Sequence, residues 1–132
     1  MLKKTGILNR DIAVVLSQLG HTDTIIIADC GLPIPKETEC IDLSISLGNP
    51  ALMDILQTVM QHMEVEKVTL ADEIKLNNTK LHHEITSKYR NMPTDYISHE
   101  SLKKAIKNAK AVIRTGEATP FANIILHAGV IF

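Results

Sequence analysis

Leu19-Gly20-His21-Thr22-Asp23-Thr24-Ile25-Ile26-Ile27-Ala28-Asp29-Cys30-Gly31-Leu32-Pro33 is the stretch on which the fold turns. Its centre, Thr24 to Ala28, is short, continuous, apolar and rich in β-branched residues. A strand with one wet face alternates polar and apolar residues. One that is apolar throughout is buried on both faces, inside a sheet covered from either side. Upstream, Ile12, Val15, Leu16 and Leu19 recur at i, i+3, i+4 and i+7, which predicts one buried helical face. Asn9 or Asp11 can cap that helix, and Gly20 supplies its stop. Downstream, Gly31, Pro33 and Pro35 force a loop.

The same pattern continues outward. Residues 40–45 alternate as a half-buried strand would. Asn49-Pro50 opens a helix whose stripe is Leu52, Ile55, Leu56, Val59, Met60 and Met63, the methionines serving as core filler. A strand is predicted over 65–71, and a polar helix with Leu81 and Ile85 starts at Asn77 or Asn78. Tyr96-Ile97 is a short strand. Ser98 caps a helix carrying Leu102, Ala105, Ile106 and Ala109, and strands follow at 111–114 and 123–126. Alternating helices and strands predict one α/β domain over residues 1–132. It has three layers, α/β/α, around a mostly parallel or mixed sheet. Ligands of such sheets bind beyond the strand ends. Asp29, His99 and the segment 115–123 all lie just past predicted strands.

With 132 residues and a net charge of −1, the chain lacks the basic footprint of a nucleic-acid binder, and without Trp it has little to stack bases on. The positive N-terminus is followed by no apolar core of a signal peptide, and no run nears the ~20 residues that span a bilayer. The expected compartment is the cytoplasm, with Cys30 and Cys40 as free thiols. Neither a GxxxxGK[ST] nor a GxGxxG loop is present, and no Ser or Cys sits in a nucleophile elbow. His62, His82 and His83 read as exposed helix residues, and His127 as packed or at an interface. No metal or cofactor is expected.

The chemistry falls to a few residues. His21 follows a glycine and precedes Asp23, and is either a surface turn histidine or an acid near neutral pH. Asp29 closes a strand and either caps loop backbone or serves a reaction. Together they point to a polar pocket for proton transfer. Lys103 lies one helical turn from His99 and can share its site, whereas Lys104 and Lys107 belong to a solvated face.

Several blocks together resemble the D-ribose pyranase family, relatives of L-fucose mutarotase. They are 6–9, 19–23, 27–35, 65–67, 70–71, 73–75, Ser98-His99-Glu100 and 110–132. The resemblance spans essentially the whole chain. Residues 21–23, 31–33 and 119–123 favour the ribose branch. It implies interconversion of the β-pyranose and β-furanose forms of D-ribose, before a kinase phosphorylates the sugar. His21 would be the proton donor, with Asp29, His99, Lys103, Phe121, Ala122 and Asn123 contacting the sugar. Asp29 would either orient His21 or accept the anomeric proton. The family usually carries Tyr where this chain has Phe121. Members assemble as rings of ten, so a homodecamer is expected, with some site residues supplied by a neighbour. The apolar terminus Val130-Ile131-Phe132, a liability if left exposed on a monomer, fits that expectation. Two alternatives stand beside this one: a mutarotase for fucose or another sugar, and a non-catalytic ribose-binding or regulatory module. Intact His21, Asp29 and Asn123 weigh against the latter.

Overall fold

A computed structural model describes residues 3–132. The helices are α1 (Arg10–Gln18), α2 (Leu52–Met60), α3 (Ile74–Asn77), α4 (Thr79–Lys88) and α5 (His99–Ala105), the last running into a 3-10 turn at Ile106–Asn108. The strands are β1 (Thr24–Ala28), β2 (Cys40–Asp42), β3 (Val65–Ala71), β4 (Thr94–Ile97), β5 (Ala111–Arg114) and β6 (Ile124–Ala128). They form one sheet in the order β2-β5-β1-β6-β3-β4. β5 is parallel to β1 and β2, β3 is parallel to β4, and β6 runs antiparallel between β1 and β3. Five strands therefore point one way, and only β6 opposes them.

The apolar run lies at the centre, as expected. Ile25, Ile26 and Ile27 are wholly buried. Ile25 and Ile27 join a cluster with Ile12 and Val15 of α1, Leu52 and Leu56 of α2, and Leu81 and Ile85 of α4. Ile26 and Ala28 face the other way, onto Leu102 of α5 and Ile106. Each buried Ile contributes ~1.5–3 kcal/mol, and a one-residue slip would exchange the two faces. Helices cover both faces, giving the three layers.

The local differences have physical causes. Asn9 caps α1 by accepting the Ile12 N–H, but Gly20 is not its stop: the chain turns extended at Leu19, and Gly20 instead donates to Asp23 Oδ2 at 2.8 Å. β2 ends at Asp42 because that carboxylate takes both the backbone and the hydroxyl of Ser44, turning the chain. α2 begins at Leu52 rather than at Pro50. The Pro50 carbonyl is held by the Gly116 N–H, and Leu52 N–H is capped by Glu117 Oε1 at 2.9 Å. β6 runs on to Ala128 because His127 pairs with both β1 and β3. The short α3 has no counterpart in the sequence reading.

Candidate functional site

Because β1 to β5 are parallel, their C-terminal ends share one edge of the sheet, and β6 begins there. Asp29 follows β1, Thr115 follows β5, His99 follows β4, Glu73 follows β3 and Asn123 precedes β6. Asn123 is buried and reads Asp29 twice. Its Oδ1 accepts the Asp29 N–H at 2.9 Å, and its Nδ2 donates to Asp29 Oδ2 at 3.2 Å. Asp29 Oδ1 also accepts the Gly31 N–H at 2.9 Å. A carboxylate with four acceptor sites so fixed still presents lone pairs outward. The cleft beside it, of about 340 Å³, is lined by Asp29, Cys30, Gly31, Glu117, Ala118, Thr119 and Pro120.

His99 sits at the first turn of α5, where Ser98 accepts the Ser101 N–H and the Glu73 carboxylate accepts the His99 N–H at 3.0 Å. Its ring stands edge-on to Phe121, centroids 5.1 Å apart. Its Nδ1 is buried without a hydrogen-bond partner. A buried polar atom without a partner is costly. Phe121 holds a left-handed backbone at φ +55° and packs against both cores, while Ala122 beside it is wholly buried. Lys103 lies on the same helical face as His99, but its amine pairs with Glu100 at 2.8 Å and holds that carboxyl below its usual range.

His21 is elsewhere. It lies before β1, and Asp29 lies after it. Five residue steps from Thr24 to Asp29 at ~3.3 Å each put about 17 Å of extended chain between the two ends of that strand. The expectation of a shared pocket fails for a single copy, and so does orientation of His21 by Asp29. His21 Nε2 instead meets Glu66 Oε1 at 2.6 Å. The larger cleft of about 480 Å³ is on Glu66's side too, walled by Glu66 and residues 87–93, away from Asp29.

The other histidines divide clearly. His82 is not exposed as expected: it is half-buried, with Nε2 2.7 Å from Tyr96 Oη. Burial, then the Lys75 charge, pushes its pKa down. His127 is packed, with Nε2 2.8 Å from Thr69 Oγ1, and burial followed by the Lys67 charge lowers it likewise. Both are thereby less often protonated near neutral pH, whereas His62 and His83 are exposed.

Comparison with known proteins matches residues 2–131 to the RbsD / FucU transport protein family. The chain belongs to the RbsD / FucU family. A D-ribose pyranase of Bacillus cytotoxicus is 56% identical over 131 residues, covering 99% of this chain and 100% of that relative. One from Bacillus cereus is also 56% identical, with the same coverage. The structure of Bacillus subtilis RbsD complexed with D-ribose superposes with a TM-score of 0.96 at 49% identity, over 99% of this chain and 100% of that one. The Streptococcus pneumoniae fucose mutarotase in complex with L-fucose shares the fold, with a TM-score of 0.74 at 20% identity over 94% of each chain.

In this RbsD / FucU chain the sequence reading placed segment 115–123 past a strand end but missed the contacts that build the site loop. Thr115 is buried, and its N–H and hydroxyl both donate to the Ala28 carbonyl, at 2.9 and 2.8 Å. Glu117 O accepts the Cys30 N–H, and its carboxylate accepts from both Leu52 N and Thr119 Oγ1. Buried Asn78 donates to Thr119 Oγ1 and to the Pro120 carbonyl. Arg114 donates to the carbonyls of Cys30 and Leu32. These are long-range partners of ordinary polar residues, and no local spacing announces them.

Proposed function

We propose that this chain is a D-ribose pyranase, an isomerase interconverting the β-pyranose and β-furanose forms of D-ribose. The observation that carries the reading is full-length identity of 56% to proteins named D-ribose pyranase. The polar edge supports it chemically. Asp29, held by Asn123, and the unpartnered His99 Nδ1 are directional groups suited to sugar hydroxyls, and Phe121 offers an apolar ring face. Ala122 and Lys103 complete the proposed sugar contacts.

The reaction needs only protons. The ring oxygen gains one while the anomeric hydroxyl loses one, and the C1–ring-oxygen bond breaks to give the aldehyde. A different hydroxyl then attacks C1 and loses its proton, while the carbonyl oxygen regains one. His21 gives and recovers the first proton, and Asp29 is placed to serve the anomeric hydroxyl. Because the two lie at opposite ends of β1, whose extended run from Thr24 to Asp29 alone spans about 17 Å, His21 acts on the Asp29 edge of a second copy. That heterologous contact closes into a ring, and the proposed assembly is a decamer. Exposed Ile131 and Phe132 beside the His21 edge, and exposed Ile45, Leu47 and Leu76 near the Asp29 edge, give both surfaces apolar contact area. Light scattering is expected to find a large assembly, and a stable monomer at micromolar concentration would contradict this. The cytoplasm is the proposed compartment; no helix among the described residues is long and apolar enough to cross a membrane.

NMR magnetisation transfer between ribose ring forms tests the activity. Added protein should accelerate exchange for ribose and leave fucose slow. Binding of ribose without acceleration would favour the regulatory module instead. Phe121→Tyr adds one hydroxyl beside His99. It is expected to tighten ribose binding by up to about tenfold or leave it unchanged, a net hydrogen bond being worth ~0.5–1.5 kcal/mol. A large loss, read by calorimetry, would mean that the pocket is packed around the phenyl ring.

A further inference from the structure

We propose that Glu66 is the positioning residue for His21, an inference resting on the reading of His21 as proton donor. Three separate features of the backbone bring the pair together. The β3–β6 ladder shifts register between Val65 and Lys67, so Glu66 is the extra residue of a β-bulge. A bulge re-aims a side chain that a regular strand would point elsewhere. Gly129 faces Glu66 across that bulge: a Cβ there would lie 3.1 Å from Glu66 Cβ and 3.5 Å from Oε1. The turn bearing His21 is pinned as well. Thr22 N–H donates to the Ala128 carbonyl, Ala128 N–H donates to the Asp23 carbonyl, and Asp23 Oδ2 accepts the Gly20 N–H.

Thr22 holds φ +74°, a left-handed conformation that a β-branched residue adopts only at a cost. Stability does not repay that arrangement. The side chains of His21 and Glu66 are 53% and 47% exposed. An ion pair so open to water contributes ~0–1 kcal/mol at most. Nor is Glu66 shared with a neighbouring cation, since Lys67 pairs with Asp95 at 3.0 Å.

The chemical consequence follows from donor and acceptor roles. An ionised carboxylate only accepts, so His21 Nε2 carries a proton and donates it to Glu66 Oε1. Nδ1 is left as the nitrogen that gives a proton to the sugar ring oxygen and takes one back from the hydroxyl that closes the new ring. Glu66 fixes the ring plane and the tautomer while never touching substrate.

Exchange rates measured over a range of ribose concentrations for Glu66→Ala, Glu66→Gln and His21→Ala test this. Glu66→Ala should lower the maximal rate by about tenfold or more, as loss of a partner that orients a histidine does, with the apparent KM little changed. Glu66→Gln keeps an acceptor oxygen in place and should recover part of that rate. Light scattering should show the same assembly for all three. A wild-type rate for both Glu66 variants alongside a slow His21→Ala would overturn the inference and leave the proton donor standing. A change in KM alone would also overturn it. A wild-type rate for His21→Ala would remove the reading on which it rests.

Discussion

His21→Ala is expected to slow ring exchange by about 10²–10⁴-fold, the range contributed by a positioned acid or base. Ribose affinity should change far less, because Asp29, Asn123 and His99 lie together on the opposite edge of the sheet. His99→Ala is the matching control. Its Nδ1 is buried and its ring is wedged against Phe121, so its loss should appear mainly in affinity. Magnetisation transfer at saturating and limiting ribose separates the two effects. Full exchange in His21→Ala with none in His99→Ala would move the donor role to His99.

Gly116→Ala is expected to destabilise the fold by about 3 kcal/mol or more, the upper end for forcing atoms into a packed site. An added Cβ would lie 2.6 Å from Asn49 N, and the obstacle is backbone rather than a movable side-chain tip. Gly116 is also tied on both sides, donating to the Pro50 carbonyl at 2.8 Å and accepting the Gly48 N–H at 2.6 Å. Relief therefore requires the site loop and the turn before α2 to separate. Gly48 makes the comparison: it holds φ +79° with open space where a Cβ would go, so Gly48→Ala meets only the left-handed penalty of ~1–2 kcal/mol. Thermal unfolding should place the Gly116 variant well below the Gly48 variant. The reverse order would mean that the two segments are not packed as described.

The sequence was most readable where local chemistry decides. Three consecutive isoleucines have no way to satisfy one wet face, so β1 is central, and the 3.6-residue rhythm of Ile12, Val15 and Leu16 marks α1. Asn9 caps because a short side-chain oxygen reaches the Ile12 N–H. What long-range partners decide was not readable. The cap of α2 comes from Glu117, 65 residues away, and Asn78 donates to the Thr119 hydroxyl and the Pro120 carbonyl from 41 and 42 residues away. The direction of β6 and its position between β1 and β3 have no local signature either.

The candidate site shows the same division. Asp29, His99 and Asn123 could be placed beyond strand ends, and the parallel sheet gathers those ends on one edge. His21 and Asp29 are only eight positions apart in sequence, which invites a shared pocket. The residues between them form an extended strand, and an extended strand separates what it connects. Glu66 escaped notice because its role depends on a bulge, which alternation of residue types does not reveal.

The central claim is that ribose is isomerised at a site built from the Asp29 edge of one copy and His21 of another. It is tested most directly by coassembling His21→Ala with Asp29→Asn and measuring ribose exchange by magnetisation transfer. Each variant alone should be slow. In the mixed assembly some sites pair an intact Asp29 with an intact His21, and random heterologous contacts should restore roughly a quarter of wild-type activity. A mixture no faster than the average of the two pure variants would contradict the account, since it would place both residues in the site of a single chain or leave one of them out of it.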